Sequence, residues 1–333
     1  MKNNVALMKT GRLLQLAAAA ILAVGVLCPA AVQAQVPGRF YWKNLSGGNG
    51  AAVVFNSISG NTNPFDPSNR VIPGAEINAT MALAGWAHTY TLGDRAASGA
   101  ILLPMGRVSG TTTVNGLSST ETSRGYGDPM FEFNYNLIGP KSQRNIPDVQ
   151  RYEPGFSLDM LVDLAVPIGE YDNKQTVNLG LNRWYGRIGA PIVWQLGDWV
   201  PSRRTTLELL PVVWLFGANN DYAGGKTLTT DPMFQLDAHL TRDFTKDLWG
   251  ALDLSWYKGG GSTVNGVAGG KLNNLGVGFT LGYAVNDNIG LTFGYKSTVN
   301  DSAPGDMRMD GFMVSLVFGW HPLVEGMKRL KSE

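Results

Sequence analysis

Thiols and imidazoles are nearly absent: Cys28 is the one cysteine and His88, His239 and His321 are the three histidines among 333 residues. A disulfide framework is therefore excluded, and no His/Cys/carboxylate cluster has zinc spacing, so no metal and no cofactor is expected. Charge is scarce too. Asp, Glu, Lys and Arg make up 16% of the chain, against an ordinary share of about 25%. Basic and acidic residues balance at 27 and 26, which leaves nothing to attract nucleic acid. Beyond residue 34 there is no apolar run of about 18 residues, and that excludes helical membrane spans.

The start of the chain is different in kind. Lys2, Lys9 and Arg12 precede "LLQLAAAAILAVGVL", and Val32-Gln33-Ala34 then fits the small-residue rule for cleavage before Gln35. Residues 1–34 are expected to be a cleaved secretory signal peptide. The competing lipoprotein reading of Cys28 needs a small residue where Leu27 stands. Cleavage removes Cys28 and three basic residues, so the exported chain would carry no thiol and a net charge of about −2.

Glycine is abundant, at 42 residues, nearly twice its usual ~7% share. What fills the rest of the chain is alternation. In "LGVGFTLGYAVNDNIGLTFGYKS", residues 275–297, Leu275, Val277, Phe279, Leu281 and Tyr283 alternate with Gly276, Gly278, Thr280 and Gly282. After Asn286-Asp287-Asn288 the pattern resumes with Ile289, Leu291, Phe293 and Tyr295. Twelve such segments can be counted, near 50–58, 76–92, 99–108, 126–138, 154–166, 184–196, 205–216, 232–244, 247–257, 272–284, 289–296 and 309–320. Low charge, high glycine and period-two hydrophobicity together predict an all-β fold, an antiparallel transmembrane β-barrel of 12 strands spanning 35–320, with a short tail at 321–333. In lipid every backbone polar group must be paired inside the protein, and a closed sheet does this without edges.

Connection lengths supply a second test, because such barrels alternate short periplasmic turns with long outer loops. "VNDN", "DFTKD", "GDWVPSRR" and "GDRAAS" are short, and the connections between them, among them "SGTTTVNGLSSTETSRGYG" and "KGGGSTVNGVAGGK", are long and polar. Residues 139–155, "GPKSQRNIPDVQRYEPG", break the rule: they are long where a short turn belongs. Trp184 and Trp194, and likewise Phe234 and Phe244, stand ten residues apart on one strand face. At ~3.3 Å per residue and ~40° tilt that separation projects to roughly 25 Å, the height of an outer-membrane apolar band. With Trp256 and Trp320 these four form a predicted interfacial aromatic girdle, the alternative being core aromatics of a soluble β-sandwich.

By the same parity Glu132, Asp159, Asp163, Arg187, Glu208, Asp237, His239 and Asp253 face inward, a mainly acidic set lining a narrow lumen partly occupied by polar side chains. They can act as a selective constriction or as an internal ionic network that shapes the wall, with partners such as Arg107. His239, beside Asp237 and Thr241, lacks the rim position that a lipid hydrolase would need, so no catalytic residue is assigned. "GGKT" at 224–227 lacks the first glycine of a phosphate loop.

"YGDPMFEFNYNLIG" (126–139), "LAVPIGEYD" (164–172), "LGLNRWYGRIGAPIVW" (179–194), "DPMFQLDAHLTRDFTKDLWGALDLSWYKGGGSTVNG" (231–266) and "NNLGVGFTLGYAVNDNIGLTFGYKSTV" (273–299) resemble the transporter family named for the meta-pathway of phenol degradation. The resemblance implies a Gram-negative outer-membrane barrel associated with the use of aromatic compounds, and it carries no binding residues over. The expectation is a passive channel for small organic, particularly aromatic, solutes. A non-conducting structural barrel and a lipid-modifying barrel enzyme are the alternatives. Expected partners are outer-membrane lipid, the barrel-insertion machinery and a small organic solute. Trp320 precedes "HPLVEGMKRLKSE", a departure from the usual terminal aromatic of such barrels.

Overall fold

The computed structural model describes residues 36–326 apart from 115 and 304, all within the unit Ala31–Glu333. The expected signal peptide and the last seven residues of the tail lie outside the described residues. In chain order the strands are β1 (Asn49–Gly60), β2 (Ala75–Leu92), β3 (Arg95–Val114), β4 (Leu117–Tyr126), β5 (Met130–Ile138), β6 (Phe156–Ala165), β7 (Tyr185–Gly189), β8 (Ile192–Gln195) and β9 (Thr205–Phe216). They continue as β10 (Asn219–Tyr222), β11 (Lys226–Thr230), β12 (Met233–Asp243), β13 (Leu248–Gly259), β14 (Ser262–Val264), β15 (Val267–Ala268), β16 (Leu272–Ala284), β17 (Ile289–Thr298) and β18 (Met309–Trp320).

All main-sheet pairings are antiparallel, and the ring closes because β1 pairs with both β2 and β18 while β12 pairs with both β9 and β13. This is a closed 12-stranded barrel. Two of its twelve walls are built in two pieces. β4 and β5 form one, and β7 and β8 form the other, which breaks at Ala190-Pro191 because proline has no N–H to give to the ladder.

The alternation follows from which solvent each face meets. Along β16 and β17 the outward residues Val277, Phe279, Leu281, Tyr283 and Leu291 are each about two-fifths exposed, and Phe279, Phe293, Tyr295 and Phe312 pack ring to ring on the outer surface. The thin inner positions have a specific use. Gly278 sits between Asp253 and Lys296 in the cross-strand rows, and a Cβ there would lie 3.0 Å from the Lys296 Cβ. Gly282 faces Trp249, and a Cβ there would fall 2.0 Å from the indole ring. These glycines are slots for two large lumenal side chains.

Gly282→Ala is therefore expected to displace the Trp249 ring and to destabilise the barrel by about 1–3 kcal/mol, the usual cost of overpacking. Urea titration of the barrel folded into lipid vesicles measures it. Gly290→Ala, where a Cβ meets nothing within 4 Å, is the matched control and should stay within about 0.5 kcal/mol.

One end of the barrel carries short turns and the other long loops. The expected loop "SGTTTVNGLSSTETSRGYG" is instead a continuation of the wall: β3 and β4 form a hairpin paired from Met105 opposite Tyr126 to Val114 opposite Leu117. Threonine and serine pairs tie it, Thr111 with Thr120 at 2.9 Å and Ser109 with Thr122 at 3.0 Å. Polar composition suggested a loop, but β-branched hydroxyl residues that pair across strands make good sheet in water. The loops 217–232 and 260–271 also hold strands: β10, β11, β14 and β15 form a separate four-stranded sheet over the barrel mouth.

The lumen is filled. Ile58, Ile77, Val108, Leu161, Val212, Met233 and Met309 form an apolar cluster toward the loop end, covered by Phe65, Val177, Leu179 and Met307 from the loops. The lumen is thus occupied by apolar as well as polar side chains, because the inturned loop residues need an apolar wall to bury against.

Candidate functional site

The eight lumenal residues predicted from parity are all less than one-tenth exposed and point inward. Seven of them fall into four groups, and Glu208 accepts from the Thr206 hydroxyl at 2.7 Å. Arg187 reaches both Asp163 and Glu132 and lies 5.2 Å from the Trp214 ring centre. Lys296 pairs with Asp237 at 3.5 Å and with Ser255, while Gln235 donates to Asp237 at 2.6 Å. His239 Nδ1 meets Asp253 at 2.7 Å. Asp159 accepts from Asn134 and Asn136 at 2.8 and 2.9 Å. Each carboxylate thus has partners that offset its desolvation.

The expected mainly acidic balance is corrected by cations that parity reasoning left out. Lys296 stands one residue past the outward Tyr295, so the alternation itself marks it as inward. Arg107, named as a partner, is instead exposed, since it lies in the part of β3 paired with β4 toward the loop end. The other missing cations come from a segment with no periodicity at all.

Residues 36–48 form a strap that runs from the start of β1 at the turn end into the lumen, where Val36 meets the apolar cluster. Four of its residues reach acids of the wall, Tyr41 among them with its hydroxyl 3.5 Å from Glu132 Oε2. The Arg39 backbone N–H donates to Glu208 Oε2 at 2.7 Å, and its guanidinium pairs with Asp243 at 2.7 Å. That guanidinium is sandwiched between Trp42 and Trp249, 4.3 and 4.5 Å from the ring centres. Trp42 Nε1 donates to Glu208 Oε1 at 2.8 Å, and Lys43 pairs with Asp159. Burial pulls the Lys43 ammonium below its ordinary value, partly offset by the Asp159 carboxylate. Arg39 takes φ of +70°, a left-handed kink that a non-glycine residue keeps only where its surroundings enforce it.

The long connection at 139–155 now has a physical account. It includes the helix α1 (Ile146–Arg151), capped by Asn145, which accepts from the Asp148 N–H at 3.0 Å. Just before the helix, Gln143 clamps the strap: its side chain donates to the Lys43 carbonyl at 3.1 Å and its own carbonyl accepts from the Ser46 N–H at 2.8 Å. Trp199 from the next turn packs against Trp42 at a tilt of 56°, ring centres 4.8 Å apart, with Arg204 beside both rings. At the other end of the chain His321 Nε2 lies 2.9 Å from the Ser46 carbonyl. Residues 36–46 of the strap make no backbone–backbone hydrogen bond to a strand, whereas Gly47 and Gly48 extend the β1–β2 ladder: the Gly47 N–H donates to the Thr89 carbonyl at 2.7 Å and the Gly48 carbonyl accepts from the Thr89 N–H at 2.9 Å.

The aromatic residues assigned to the girdle lie outward in two rims. Trp184, Phe234 and Trp256 are toward the loop end, and Trp194, Phe244 and Trp320 toward the turn end. Trp184, Trp194 and Phe244 are more than half exposed. Arg242, outward beside Phe244, donates to Thr205 Oγ1 at 2.7 Å, which keeps its charge at the rim.

Residues 60–316 match the family described as "Putative MetA-pathway of phenol degradation". No curated protein matches the chain. Among solved structures, the COG4313 outer membrane channel from Pseudomonas putida F1 superposes with a TM-score of 0.68 at 17% identity, covering 86% of this chain and 99% of that one. The translocator domain of the autotransporter NalP from Neisseria meningitidis gives a TM-score of 0.47 at 11% identity, covering 83% and 89%. The first likeness shows the fold, and the second is too loose to carry an argument.

Proposed function

We propose, from the premise that this chain belongs to the MetA-pathway family of phenol degradation, that it is a passive outer-membrane channel for small organic molecules, aromatic ones in particular. The loop end faces outward, both ends of the barrel wall lie on the periplasmic side, and the exterior band of Val, Leu and Phe is solvated by lipid. The observation that carries the reading is the strap. A barrel needed only as a wall would gain nothing from an aperiodic segment held in its lumen by salt bridges. Residues 36–46 can leave without breaking a single ladder hydrogen bond, and their departure vacates the turn-end half of the lumen.

Purified protein in planar bilayers tests this. Discrete conductance steps are expected, together with permeation of phenol-sized solutes into vesicles. A barrel that neither conducts nor passes solute, with or without the strap, would leave only a structural role.

A further inference from the structure

Four buried side-chain groups able to donate a hydrogen bond find no acceptor in the loop-end cap: Arg70 Nε, Arg183 Nε, Thr62 Oγ1 and Ser68 Oγ. The two guanidinium groups line one recess, between the loops 61–74, 166–184 and 217–232, together with Tyr171, Asn178, Asn219 and Tyr222. Arg183 is 3% exposed. Its Nη1 donates to Thr230 Oγ1 at 2.8 Å and its Nη2 to Asp66 Oδ1 at 3.3 Å, and it lies 5.0 Å from the Phe216 ring centre. Arg70 donates through Nη2 to the Tyr222 hydroxyl and lies 5.1 Å from that ring's centre.

The local charge is not balanced. Asp66 is the one acid lining the recess, set against two guanidinium groups. Neighbouring acids are committed elsewhere. Asp128 accepts from the backbone N–H groups of Leu181 and Gly169, and Glu121 accepts from those of Thr176 and Val177 and from the Thr176 hydroxyl. A buried guanidinium N–H with no acceptor is costly, and two arginines that line one recess and each carry such a group are matched by a planar anion. The enclosed room in the recess is only about 20 Å³, and the rest of its space is open to solvent, so the body of a ligand would lie across the open side. Its deep part admits only a water-sized group, as one carboxylate oxygen would be, while the outer part is walled by Tyr171 and Tyr222.

We propose that this recess is an entry site for small organic monoanions, a carboxylate borne on a flat, unsaturated or aromatic body, seated on Arg183 and Arg70. The proposal rests on the channel reading and names the solute class that the channel's outer mouth selects. The carboxylate goes to the two free Nε–H donors, and the flat body lies on the tyrosine wall.

The test uses the whole barrel in lipopolysaccharide-free detergent, with benzoate as the probe, benzyl alcohol as its neutral counterpart and sulfate as an inorganic anion, each titrated calorimetrically. Saturable benzoate binding is expected, at least about tenfold tighter than benzyl alcohol or sulfate and weakened about tenfold by Arg70→Gln. Arg183→Gln should abolish it. Because Arg183 is buried against Asp66, the less deeply buried Arg70 carries the decision if that variant fails to fold, with heat-modifiable mobility on gels reporting folding. Equal binding of benzoate and benzyl alcohol, sulfate bound as tightly as benzoate, or a folded Arg70→Gln barrel with undiminished affinity would each overturn the proposal. Conductance of the same preparations separates the two ideas: a barrel that conducts but does not select benzoate sinks the site alone, and one that selects benzoate but never conducts sinks the channel alone.

Discussion

Removing residues 36–46 should clear the turn-end half of the lumen and raise the conductance of the barrel above that of the intact chain. Residues 36–46 contribute no ladder hydrogen bond, so the wall survives their loss, and the space they vacate is bounded by Glu208, Asp243, Asp159 and Trp249. Arg39→Gln with Lys43→Gln should approach the same state without shortening the chain. Breaking one buried ion pair costs about 3–5 kcal/mol. Losing both pairs should shift the open population by more than about a hundredfold. Single-channel recording reads this directly, as a rise in open probability for the double variant and in unit conductance for the deletion. Identical traces for wild type and deletion would show that the strap does not obstruct the pore.

Arg187→Met should be the most damaging single change in the wall. Glu132 and Asp163 are cross-strand neighbours, both buried, and Arg187 is the cation that reaches both. Its loss leaves two carboxylates facing each other without a counter-charge, and destabilisation of about 3–5 kcal/mol is expected. Urea unfolding in lipid vesicles measures it. Adding Asp163→Asn to Arg187→Met should recover part of the loss. A combined change of Arg187, Asp163 and Glu132 to apolar residues of similar size should come near to wild-type stability, because a buried ionic cluster gains little over good packing. A drop of under 1 kcal/mol for Arg187→Met alone would mean that water reaches the pair.

How much of this was readable from the residues follows from which features repeat. The twelve walls were legible because lipid on one side and protein on the other impose period two, and Asp237, His239 and Asp253 fell inward by the same rule. The β3–β4 hairpin was not, since above the bilayer both of its faces can be polar and alternation vanishes. Arg107 was misplaced for that reason. The strap escaped notice because "PGRFYWKN" has no period, and its partners lie far away in sequence, Arg39 with Asp243 and Lys43 with Asp159. The clamp at Gln143 could only be recognised as an unexplained length. The recess on Arg70 and Arg183 joins three loops, and nothing local marks either arginine as unpaired.

Where the ring closes also has a consequence for how the molecule is assembled. β1 pairs with β18 over twelve consecutive residues, from Asn49 opposite Trp320 to Gly60 opposite Met309, so the first wall waits for the last before either is satisfied. Joining such distant partners is slow, and until it happens both edges stay open to stray pairing. His321 touches Ser46 just beyond that seam. Zipping the final pair therefore brings the chain's end onto the base of the strap, and a nascent barrel that has not yet zipped has nothing there to hold its own stopper.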